Sequence, residues 1–101
     1  MGVVILEHAV LDVIASQEAD FEQAFQQASG IIADMAGFRS LRLERGVENH
    51  SRYLLLVEWD SLEDHTIGFR SSPEYQEWRR LLHHFYQPFP TVEHYQAFIA
   101  L

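Results

Sequence analysis

The sequence has no cysteine and no lysine. Without cysteine there is no disulfide, no thiolate metal ligand and no thiol nucleophile, which fits a reducing compartment. Without lysine there is neither a Schiff-base amine nor a phosphate-binding P-loop. All seven basic residues are arginines, and the formal net charge is -8. Nucleic-acid affinity comes mostly from neutralising phosphates, so an acidic chain without a basic cluster is expected to have no nucleic-acid partner. No apolar run approaches the ~20 residues of a membrane span, and no membrane partner is expected. The N-terminus shows no basic region of a secretory signal. The expectation is a soluble, cytoplasmic protein whose partners are small neutral or apolar molecules or a second copy of itself.

What is present is apolar and ordered. Of 101 residues, 48% are hydrophobic, enough for one domain, residues 1–101, with one modest core. Val3 to Ile14 predicts a strand that is apolar on both faces, interrupted at adjacent positions by Glu7 and His8. Ser16 can cap a following helix, with Glu18 and Asp20 in its first turn. Phe21, Phe25, Ala28, Ile32 and Met35 form one apolar stripe of that helix, and Gly37 is placed as its left-handed cap. Phe38 to Arg45 and Arg52 to Trp59 predict two strands joined by a polar tip, Glu48 to Ser51. In the second, Tyr53, Leu55, Val57 and Trp59 share a face.

Ser61 to Asp64 has a capping-box pattern that opens a helix through about Phe69. Ser72 and Pro73 restart it after a break near Arg70 to Ser72, and Tyr75, Trp78, Leu82 and Phe85 continue its apolar face. Pro88-Phe89-Pro90 stops it, and Thr91 to Leu101 predicts a last strand. The order is β-α-β-β-α-β, an α+β, ferredoxin-like arrangement with a four-stranded antiparallel sheet. Two helices cover one sheet face only, whereas two strands are apolar on both. A homodimer packed face to face, closing a dimeric α/β barrel, is therefore expected.

Several stretches resemble the antibiotic biosynthesis monooxygenase family of dimeric ferredoxin-like barrels. They are Tyr53 to Trp59 with its acidic-aromatic end, Glu63-Asp64-His65, Phe69 to Tyr75 followed by Trp78, and Pro88 to Tyr95. Together they span almost the whole chain. The resemblance implies an oxygenase that needs no metal, flavin or heme as a bound cofactor. It implies electron-rich aromatic substrates: polyketides, anthrones or quinols. A heme-degrading branch uses an asparagine on the first strand, but the only asparagine here is Asn49, in the hairpin tip. A non-catalytic dimeric module that binds a small molecule, or a stress-related protein of the same fold, is the alternative.

His65 is the candidate catalytic residue. Histidine titrates near neutral pH and can take a phenolic proton, and its place after a strand-to-helix turn puts it at a pocket mouth. The opposing reading is a surface histidine that bonds the turn. Trp59 is placed either to stack on an aromatic ligand or to close the end of the core. Phe69 and Trp78 are helix-face packing residues that can also line a pocket. His94 and His8, if turned inward, need a partner such as Glu7, Glu58 or Tyr53. The substrate-binding set is therefore Trp59, Phe69, Trp78 and His94. His83 and His84 are consecutive and cannot face one metal, so no metal site is expected.

Overall fold

The computed structural model describes residues 3–101. Its elements are β1 (Ile5–Asp12), α1 (Glu18–Ala33), β2 (Phe38–Arg45), β3 (Arg52–Trp59), a π-helical turn (Asp64–Phe69), α2 (Pro73–Leu82), a short 3-10 turn (His83–Phe85) and β4 (Val92–Tyr95). The strands form one sheet in the order β2-β3-β1-β4, and every neighbouring pair is antiparallel. This is the ferredoxin-like α+β fold expected from the sequence. Among the described residues, no helix is long and apolar enough to cross a membrane.

Strand alternation sets the layers. Glu7, Ala9 and Leu11 of β1, with Tyr53, Leu55, Val57 and Trp59 of β3, are all buried. They face Phe21, Phe25, Ala28 and Ile32 of α1 and Trp78 and Leu82 of α2 in one core. The opposite parity carries Leu6, His8, Val10, Leu54 and Leu56, all partly or largely exposed. The β1–β3 register sets Glu7 opposite Val57, and the β1–β4 register sets Glu7 opposite His94. Glu7 and His94 thus share the helix-covered face.

The structure corrects four local expectations. Regular pairing in β1 runs only from Ile5 to Asp12, because Val13 and Ile14 turn to other partners. Val13 bridges Tyr86, and the Ile14 N–H donates to the Phe85 carbonyl at 2.8 Å. Ser16 does not cap α1: it lies at φ 75°, and Gln17 is the capping residue, with no side-chain bond. α1 ends at Ala33, before Gly37. The last strand stops at Tyr95, and Phe98, Ile99 and Leu101 are exposed beyond it.

Gly37 itself has φ 84°, and a Cβ there would meet the Asp64 carboxylate. Glycine is required by the backbone and by the close approach together. Asp64 is in turn held by its N–H donating to Ser61 Oγ at 3.1 Å, half of the expected capping box. The chain end of β3 and the start of the π turn are therefore locked against the loop before β2.

Candidate active site

The π turn is the element that builds the site. Its signature is the Arg70 N–H donating to the His65 carbonyl, five residues back, at 3.2 Å. β-branched Thr66 and Ile67, followed by Gly68, make this stretch a weak α-helix former. Ser72 closes the turn, donating from Oγ to the Phe69 carbonyl at 2.6 Å and accepting the Tyr75 N–H at 3.1 Å. The expected break at Arg70 to Ser72 and the Ser72 cap are both present. The turn buries two of its side chains, His65 and Phe69, which are 3% and 1% exposed.

His65 lies against Trp59, the rings stacked at 5.4 Å between centroids and 21° between planes. Phe69 packs against both rings, 6.0 Å from Trp59 and 6.4 Å from His65, and meets Trp78 edge to face. At the polar end, Trp59 Nε1–H donates to Glu7 Oε1 at 3.0 Å. His65 Nε2 stands 3.3 Å from the same oxygen. His65 Nδ1 lies 2.8 Å from His94 Nε2. Glu7, His65 and His94 form a continuous chain of polar contacts that starts on β1 and ends on edge strand β4.

A cavity of about 390 Å³ opens beside this chain. Glu7, His65 and Arg70 supply its polar end, and Leu11, Leu55 and Val92 its floor. Phe69, Tyr75, Trp78, Tyr86 and Phe89 give it aromatic walls, with His83 among them. The size suits a small organic molecule, and the lining suits a flat one. The far end is fixed by the pairing of Tyr86 with Val13 and by the Gln87 N–H, which donates to the Asp12 carbonyl at 2.9 Å.

The environment separates the titratable groups. Burial pushes the Glu7 carboxyl up to about 7, against the opposing pulls of the Trp59 N–H and the Arg70 guanidinium. Burial, then the charge of Arg70, then His94 push His65 down to about 3. His94 is lowered by burial and by Arg70. His83 is lowered to about 4 by burial and by Arg79. His65 is thus a neutral imidazole at neutral pH, while Glu7 changes charge there.

The expected site residues fall into two groups. His65, Phe69 and Trp78 line the cavity. His65 is not the surface histidine of the opposing reading. Trp59 is fully buried behind His65, and His94 stands behind His65 on the other side; neither is part of the cavity wall. Glu7, Arg70, His83, Tyr86 and Phe89 were not singled out as site residues by sequence reasoning. A readable signal existed for Glu7: a carboxylate on the inward parity of a strand otherwise apolar there. For Arg70 and His83 the signal depends on where a π turn and a helix end point, which spacing does not reveal.

Comparison with known proteins fits this fold. Residues 4–81 match the family model described as antibiotic biosynthesis monooxygenase. The chain is 54% identical over 92 residues to the uncharacterized protein YczJ of Bacillus subtilis, covering 91% of this chain and 97% of that one. It is similar in structure to a putative antibiotic biosynthesis monooxygenase of Bordetella bronchiseptica, with a TM-score of 0.91 and 34% identity over 96% of this chain and 99% of that one. A single-residue mutant of SnoaB, a cofactor-independent oxygenase of Streptomyces nogalater, shares the fold at a TM-score of 0.84 and 16% identity, over 97% and 96% of the two chains. By the match over residues 4–81, the chain belongs to the antibiotic biosynthesis monooxygenase family.

Proposed function

We propose that this protein is a cofactor-independent monooxygenase acting on a small, electron-rich aromatic such as an anthrone or quinol. The observation that carries the reading is the Glu7 carboxyl. It is buried at the end of an aromatic cavity and contacts His65 and Trp59, and that burial pushes it up to about 7. A base matched to neutral pH is what removal of a phenolic or activated C–H proton needs.

The aromatic walls bind the substrate flat, and the Glu7–His65 pair takes its proton. His65 is the catalytic imidazole: it lines the cavity and shares the proton with Glu7. Arg70, at the same end, offsets the negative charge that develops on the substrate. The resulting carbanion gives one electron to dioxygen, and the radical pair joins as a C–O bond to give a peroxide. The peroxide takes up a proton from solvent, which replaces the one taken from the substrate. Loss of water then leaves a carbonyl, so a CH₂ group and O₂ become C=O and H₂O. Phe69 and Trp78 shape the cavity, Trp59 holds Glu7 in register, and His94 backs His65.

The reading is tested by oxygen uptake with anthrones, quinols and flavonoids. Metal-free protein should consume oxygen with at least one class, and Glu7→Gln should lose on the order of 10²–10⁴ of the rate. No uptake across the panel, with wild-type protein folded, would overturn the oxygenase reading. The working assembly in this proposal is a homodimer joined through the sheet face that bears Leu6, Val10, Leu54 and Leu56.

A further inference from the structure

We infer that Glu7, His65 and His94 form a proton relay that carries the substrate's proton from the cavity to solvent at strand β4. This rests on the reading that Glu7 receives the substrate proton. The geometry gives each link. Glu7 and His65 line the cavity, whereas His94 does not. His65 Nε2 faces Glu7 Oε1 at 3.3 Å, and His65 Nδ1 faces His94 Nε2 at 2.8 Å. Both nitrogens of a buried imidazole are thus committed, one toward each neighbour.

The outer end is open. His94 is half-buried on edge strand β4. Among the described residues, no buried side-chain nitrogen or oxygen lacks a partner. Among the same residues none bonds His94 Nδ1, so that atom meets water.

The proton count closes without charging either imidazole. With Glu7 ionised, His65 Nε2–H points to the carboxylate, and His94 Nε2–H donates to His65 Nδ1. With Glu7 protonated, its O–H points to His65 Nε2, His65 Nδ1–H donates to His94 Nε2, and His94 carries its proton on Nδ1. Moving from the second state to the first releases one proton from His94 Nδ1 to water. In that step the Glu7 O–H, His65 Nδ1–H and His94 Nδ1–H bonds break, and the His65 Nε2–H and His94 Nε2–H bonds form. Neutral imidazoles are the ring forms this shift requires. The other polar groups facing the chain are the Trp59 N–H from β3, the Arg70 guanidinium after the π turn and, across the cavity from Glu7, the Tyr86 hydroxyl. Glu93 and Tyr95 bond each other on the opposite face of β4. None of these interrupts the relay.

Ring-nitrogen NMR of the histidines in the full-length wild-type protein tests this without any substrate. As pH rises through the ionisation of Glu7, both His65 and His94 should exchange Nδ1–H for Nε2–H, together and with one midpoint. Fixed tautomers, or two unrelated midpoints, would overturn the relay. Turnover of an active substrate adds a second test. His94→Gln keeps a hydrogen-bonding group beside His65 but cannot pass a proton through, so kcat should fall roughly tenfold or more with KM unchanged, as with His94→Phe. Wild-type kcat in His94→Gln would assign His94 a purely structural role. The two readings fail separately: concerted tautomer exchange without oxygen uptake sinks only the oxygenase, and uptake with fixed tautomers sinks only the relay.

Discussion

Glu7 and His65 pull the pH dependence of stability in opposite directions. The Glu7 carboxyl sits at about 7 in the fold against 4.5 ordinarily, so its contribution is full below about 4.5 and is lost as pH rises through 7. His65 sits at about 3 against 6.5, so its contribution is full above 6.5 and is lost as pH falls toward 3. Glu7→Gln should therefore remove the fall in stability between about pH 4.5 and 7, about 3 kcal/mol, leaving the His65 loss below 6.5. Urea denaturation at a series of pH values checks this; a slope between pH 4.5 and 7 unchanged from wild type would contradict it. Trp59→Phe removes the N–H that holds Glu7 down. It should raise the Glu7 midpoint further and cost about 1–3 kcal/mol, read from a carboxyl titration and a urea curve.

At the scale of elements, the π turn decides what the cavity contains. It turns His65 and Phe69 inward together, and it is anchored by Asp64 lying where a Cβ on Gly37 would be. Gly37→Ala meets both a positive φ and that carboxylate, so it should cost about 2 kcal/mol or more in urea denaturation. Stability equal to wild type would show that the two loops are not locked together. The strands and helices were legible in the sequence because their apolar periods differ. Trp59 to His65 was legible as a strand-to-helix turn because Ser61 sits where a cap must. The π geometry was not, since Thr66-Ile67-Gly68 weakens an α-helix without saying what replaces it. The end of β1 escaped because tertiary pairing of Val13 with Tyr86 overrides strand propensity, and the early end of β4 because the residues after Tyr95 find no strand partner. Glu7 was visible as an interruption in an apolar strand, but its partners come from the π turn and β3.

For the whole molecule, the sheet has one face packed by helices and one face on which Val10 is 37% exposed beside Leu6, Leu54 and Leu56. A face of this kind drives association by roughly 1.5–3 kcal/mol for each large apolar side chain it buries. Wild-type protein should scatter light as twice the 11.8 kDa chain at micromolar concentration, and Leu56→Arg should shift it toward monomer. A wild-type species of single-chain mass would contradict the dimer. The same assembly leaves the cavity on the helix side, so the variant should keep the Glu7 midpoint. The most direct measurement is oxygen uptake by metal-free protein as a function of pH, with wild type and Glu7→Gln compared on the same aromatic substrate. The expected result is uptake that rises with pH through a midpoint of about 7 in wild type and is nearly abolished in the variant. A pH-independent rate, or equal uptake by the two proteins, would contradict Glu7 as the base.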